Sequence, residues 1–180
     1  MRFKLYLSSA AIAVSLLGPL RDASAGNDKA AWPGSIAGKC YPSLNDYVLS
    51  AFPWTKDGED ENIRRITASE TADGGEAYVW VIDATPNTNV VRTLFRVGAE
   101  QACVVLDAAP SSTMELEISD NVLPSQATSL DTPPPGIPMT RVIYKLDRDG
   151  SAYHPYQCER VESAAGIGKK IDCAKIFGSR

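Results

Sequence analysis

The sequence predicts an α+β domain in which one N-terminal amphipathic helix packs on a mostly antiparallel sheet of about five to seven strands, stapled by disulfides. A small β-sandwich or barrel is the alternative. Three observations predict this fold class. Apolar residues recur at helical spacing just after Ser43. From residue 63 the period changes to two, broken by turn residues, without the strand and helix alternation that builds a parallel sheet. Cysteine occurs four times, an even number, in a chain that reads as exported.

Residues 1–25 read as a secretory signal peptide. Arg2 and Lys4 supply the positive start, Leu5 to Leu17 the apolar middle and Ala23-Ser24-Ala25 the cleavage site. The run is broken by Gly18-Pro19 and followed by Arg21-Asp22, so it is short for a bilayer span of about 20 residues. The expected mature chain starts at Gly26, is periplasmic or secreted, and has no membrane span. Of the 18 basic and 22 acidic residues, Arg2, Lys4, Arg21 and Asp22 leave with the signal, which makes the mature chain more acidic still. Such a surface repels polyphosphate, which argues against nucleic acid and anionic membrane as partners.

Residues 26–39 are rich in Gly, Ala and Ser and read as a flexible lead-in to a single domain spanning 40–180. Ser43 and Asp46 fit an N-cap and its acidic partner. Leu44, Tyr47, Val48, Ala51 and Phe52 then form an apolar stripe that Pro53 closes. The acidic stretch Asp57 to Glu61 reads as a solvated loop. Strands follow at Ile63–Ser69, Glu76–Ala84, Val90–Val97 and Ala102–Asp107, separated by Asp73-Gly74-Gly75, Pro86 to Asn89 and Gly98 to Gln101. Tyr78, Trp80 and Ile82 oppose Ala77, Val79 and Val81, so that strand has two apolar faces and suits a central place. Thr113–Ser119 and Thr140–Leu146 alternate cleanly, and pairing them would set Glu115 and Glu117 against Arg141 and Lys145. Asp149-Gly150 turns into Tyr153–Val161, and Ile171–Phe177 fits a final strand or a short helix.

Four cysteines allow three connectivities. Loop length favours Cys158 with Cys173, across a segment containing Gly166 and Gly168, and Cys40 with Cys103, tying the N-terminal region to a core strand. No Cys-x-x-Cys pair supports a metal site, and no metal or other cofactor is expected.

The residues that could carry chemistry form no recognised set. His154 is the single histidine, in an aromatic segment running from Ser151 to Tyr156, and acting as a base it would need a nucleophile and an orienting carboxylate. Glu115 and Glu117 alternate in the manner of a strand's wet face rather than a glycosidase pair. Asp57, Glu59 and Glu61, like Asp147 and Asp149, lack the spacing of a calcium loop.

The most unusual segment runs from 120 to 138 and carries Pro124, Pro133-Pro134-Pro135 and Pro138 with little charge. A proline-stiffened loop of this length suits docking into a partner. Pro124, Pro133, Pro134, Pro135 and Ile137, with the loop aromatics Tyr153 and Tyr156, are the expected partner-binding residues. The sequence therefore points to an exported, non-enzymatic protein-binding domain, an inhibitor or immunity protein that neutralises a cell-envelope enzyme or delivered toxin. The alternatives are a secreted hydrolase around His154 and an accessory subunit of an envelope or secretion assembly.

Overall fold

The structure is a computed structural model that describes residues 35–55, 61–84, 90–108 and 113–177. The expected signal peptide, most of the lead-in and most of the acidic stretch lie outside these residues. Helix α1 (Leu44–Ala51) starts where the Ser43 hydroxyl oxygen accepts from the Asp46 N–H at 3.1 Å. That hydroxyl donates in turn to the Asp46 carboxylate at 2.5 Å, so one serine satisfies an orphan helix donor and orders the first-turn acid. The helix stops where Phe52 N–H returns to Val48 and Pro53 removes the next donor.

The strands form two five-stranded antiparallel sheets. In sheet 1, β1 (Cys40–Tyr41), β2 (Ile63–Glu70), β3 (Glu76–Asp83), β4 (Val91–Val97) and β5 (Ala102–Asp107) lie in the order β1-β5-β4-β3-β2. Sheet 2 takes β6 (Thr113–Glu115), β7 (Gln126–Asp131), β8 (Met139–Leu146), β9 (Tyr153–Val161) and β10 (Lys169–Ile171) as a meander. A single turn of helix, α2 (Ala174–Phe177), follows. The chain is thus mostly antiparallel β with few helices, and the expectation of one sheet of five to seven strands is corrected to two sheets.

The physical reason lies in β3, β4 and β5, which are apolar on both faces. On one face Tyr47 and Val48 of α1, with Phe52 at its C-cap, pack with Val81, Phe95 and Val104. On the other, Tyr78, Leu94 and Leu106 pack with Val142, Tyr144 and Tyr153 of sheet 2. An eight-residue helix covers only one face, so the second sheet is needed to bury the other. Strand β5, buried at every residue, lies between the two clusters. The expected central strand, β3, is interior, but β4 holds the middle position.

Two further expectations are corrected. Residues within the lead-in run along β5, with Gly38 N–H on Val104 O, Val104 N–H on Lys39 O and Ile36 N–H on the Asp107 carboxylate. Strand β7 also falls inside the segment expected to be a long loop, so β6 pairs with β7 and not with β8. Arg141 consequently faces Glu159 on β9 rather than Glu115 or Glu117. What remains of the proline segment is a short stretch at 120–125, entered through a turn in which Val122 N–H reaches Ser119 O, and a tight connection at 132–138, where Ile137 N–H reaches Pro134 O and Gly136 supplies φ +90°. Pro135 and Gly136 hold the two central turn positions that suit them.

Both disulfides are present, joining Cys40 to Cys103 and Cys158 to Cys173. These are the pairs that loop length favours. Among the described residues no helix is long and apolar enough to cross a membrane.

Two buried phenols give a pH signature. Burial pushes the Tyr47 hydroxyl up to about 12, with the Asp107 charge adding to the effect and a Thr93 hydrogen bond opposing it. Burial also pushes Tyr153 up to about 12. Because each folded value lies above the unfolded one, the stability from keeping these groups neutral is complete below pH about 10 and is lost as pH rises toward about 12. Ultraviolet titration is expected to show Tyr47 and Tyr153 ionising late, with unfolding setting in through that window and moving upward in Tyr47→Phe. A single phenolate step at the ordinary tyrosine value would contradict this.

Candidate functional site

The site begins with a cross-strand pair. Arg141 on β8 and Glu159 on β9 are directly opposite, and Arg141 Nη1 donates to Glu159 Oε2 at 3.0 Å. Their side chains are only 19% and 10% exposed, and Glu159 Oε1 accepts a second bond from Gln157 Nε2 at 2.5 Å. The other guanidinium nitrogen, Arg141 Nη2, donates to Ala164 O at 2.5 Å and Gly166 O at 3.1 Å. A single planar fork thus holds a buried carboxylate and two carbonyls of the connection between β9 and β10.

Glycine completes the fit. A Cβ at Gly168 would overlap the Glu159 carboxylate and its Cβ, and one at Gly166 would lie 2.8 Å from Ser163 Oγ. Below the loop, Cys158 is locked to Cys173. Between the two glycines Ile167 points away from all of this and is fully exposed, at 102% of its reference area. At the base of the hairpin Arg160 and Lys169 are directly opposite one another, both exposed. Like charges facing each other across a ladder are unfavourable until an anion approaches. The loop is therefore a pre-ordered apolar tip above a cationic pair.

The expected partner-binding residues do not gather on one surface. Pro134, Pro135 and Ile137 are exposed at the turn that follows β7, with Pro133 half-buried beside them. Arg160 Nη1 donates to Pro138 O at 3.4 Å, which places this turn next to the Ile167 hairpin. Tyr156 is 60% exposed under the Lys145 ammonium, but it sits at a bulge beside Ile143 and Tyr144. That is roughly 20 Å along β8 from Ile137, by the rise per residue of a strand. Tyr153 is corrected to a core residue, 1% exposed, whose hydroxyl donates at 2.5 Å to the carbonyl of the half-buried Pro124. Ile167 was not expected, because flanking glycines read as a turn and its disulfide-bounded segment as a staple.

His154 Nε2 lies 3.0 Å from Asp147 Oδ2 across the β8–β9 hairpin. A catalytic imidazole would present its second nitrogen to a nucleophile or substrate. Here Nδ1 is buried without a hydrogen-bond partner, so the pair closes a turn. Glu115 and Glu117 are exposed while Met114, Leu116 and Ile118 pack inward, the wet and dry sides of one extended segment. Asp147 and Asp149 shape the hairpin, Gly150 N–H bonding Asp147 O and Ser151 N–H bonding the Asp149 carboxylate, which its Ser151 bonds hold below the usual range. Among the described residues no three His, Cys, Asp or Glu side chains gather as a metal group.

Set beside known proteins, the chain matches no family model, no curated protein and no solved structure.

Proposed function

We propose that this is an exported protein-binding domain that neutralises an enzyme or toxin of the cell envelope, and that Ile167 is the anchor it inserts into the target. The observation that carries this reading is an apolar side chain held fully in solvent on a loop fixed by a disulfide, a half-buried guanidinium and two tightly packed glycines. Solvent-exposed apolar groups on mobile loops lose backbone entropy on docking; one on a pre-ordered loop loses less, and more of its desolvation goes into affinity. The kind of target that fits has an apolar pocket rimmed by carboxylates, which would meet Arg160 and Lys169.

The test is to express the mature chain in its exported compartment, recover what co-purifies and assay that protein's activity with and without the domain. Ile167→Asp is expected to weaken binding at least about 30-fold, the weight of an interface hot spot, with the melting temperature unchanged because the side chain touches nothing in the folded domain. Retained binding and inhibition by Ile167→Asp would remove the loop from the interface. A copurifying enzyme whose activity is untouched would overturn the inhibitor reading.

A further inference from the structure

We infer that β2 is a second docking element, an open strand edge that takes up an extended acidic segment of another polypeptide. Three of the four sheet edges are short, with β1 at two residues and β6 and β10 at three each. Strand β2 has eight residues and, among the described residues, is paired on one side only. The bond from Ala84 N–H to Asn62 O sets the alternation of the antiparallel ladder: Arg64 and Ile66 bond to β3, while the N–H and C=O groups of Ile63, Arg65 and Thr67 point outward. Register shifts from Thr67 onward end this regular stretch, and Asn121 Nδ2 covers its far end by donating to Glu70 O. The open segment is therefore bounded, running from 63 to 67.

The side chains select the occupant. Arg64, Arg65, Ile66 and Thr67 are all exposed, which places two cations and a 47% exposed isoleucine on the open stretch. Arg65 is steadied by Asn45 of α1, to which its Nη2 donates at 2.9 Å. At the near end Trp54, 62% exposed, stands edge-on to Phe52 at 5.6 Å, and Phe52 shares its cluster with Ile63. A second copy of this chain is a poor occupant. Antiparallel self-pairing centred on the open stretch sets Arg65 against Arg65, a like-charge pair that natural edges use to prevent such association. A strand bearing carboxylates opposite Arg64 and Arg65 and an apolar residue beside Ile66 satisfies the edge instead, in the manner of strand addition.

The experiment is a nuclear magnetic resonance titration of the whole mature domain with the blocked peptide acetyl-Thr-Val-Glu-Glu-Val-Thr-amide, whose adjacent glutamates can fall opposite Arg65 and Arg64 with a valine beside Ile66, and with lysine in place of glutamate in a control peptide. The glutamate peptide is expected to shift the amides of Ile63, Arg65 and Thr67 and slow their exchange, with an affinity about tenfold above the lysine peptide. Arg65→Pro removes an outward N–H without touching the β3 ladder and is expected to abolish the effect, whereas Arg65→Ala only weakens it. Should Arg65→Pro not fold, Arg64→Glu with Arg65→Glu serves, and the preference is expected to invert toward lysine. Equal response to both peptides, or shifts confined to other strands, would overturn the inference. So would a dimer in sedimentation that Arg65→Pro dissociates.

Discussion

Arg141→Ala is expected to be among the most damaging single substitutions in this domain, lowering stability by about 3–5 kcal/mol, the cost of leaving one member of a buried ion pair alone. The buried Glu159 would keep, among the described residues, only its bond from Gln157, and the carbonyls of Ala164 and Gly166 would lose their donor. In a domain of this size such a loss corresponds to roughly 10 °C in melting temperature. Arg141→Lys is expected to recover little, because one ammonium cannot reproduce a planar fork that serves a carboxylate and two carbonyls. Pairing Arg141→Met with Glu159→Leu is expected to cost less than Arg141→Ala alone, since no charge is then left buried. Thermal and denaturant unfolding would measure this. A loss under about 1 kcal/mol for Arg141→Ala would class the pair with surface salt bridges and dismiss the account of the loop's rigidity.

Replacing both Cys40 and Cys103 by alanine is expected to cost about 4 kcal/mol, and replacing Cys158 and Cys173 about 3 kcal/mol, in the chain-entropy account. The order follows from separations of 63 and 15 residues. The first bridge joins residues that face each other on adjacent strands, and β1 has just two residues to hold itself against β5 without it. Amide exchange should therefore accelerate first at Gly38 and Val104, whose backbone bonds continue that pairing. Equal losses for the two double variants, or the reverse order, would show that local packing and not chain closure sets their contributions.

Much of the local structure was legible because single residues declare it. Ser43 with Asp46 begins α1, Pro53 ends it, and alternation marks β3, β4, β8 and β9. Strand β7 was hidden because its inward residues are small. Ala127 is opposite Tyr144 and Ser129 opposite Val142, so the period of two is written in side-chain volume and a hydropathy pattern passes over it. Missing β7 in turn made a short proline turn look like a long arm. The division into two sheets is not a local property of any strand; it follows from how many apolar faces one helix can cover. Tyr153 misled for a related reason: next to a turn it reads as a loop aromatic, yet it opens β9 and faces the shared cluster. The tip at Ile167 became visible only when Arg141, distant in sequence, was seen to hold the loop beneath it.

The disulfide pattern also bears on how the chain matures. Each bridge joins cysteines that are consecutive along the sequence, first with second and third with fourth. A chain delivered amino end first into an oxidising space brings Cys40 and Cys103 together before Cys158 has arrived. On export in that direction, an oxidase that joins thiols in order of appearance would make the native pairs directly, without later reshuffling.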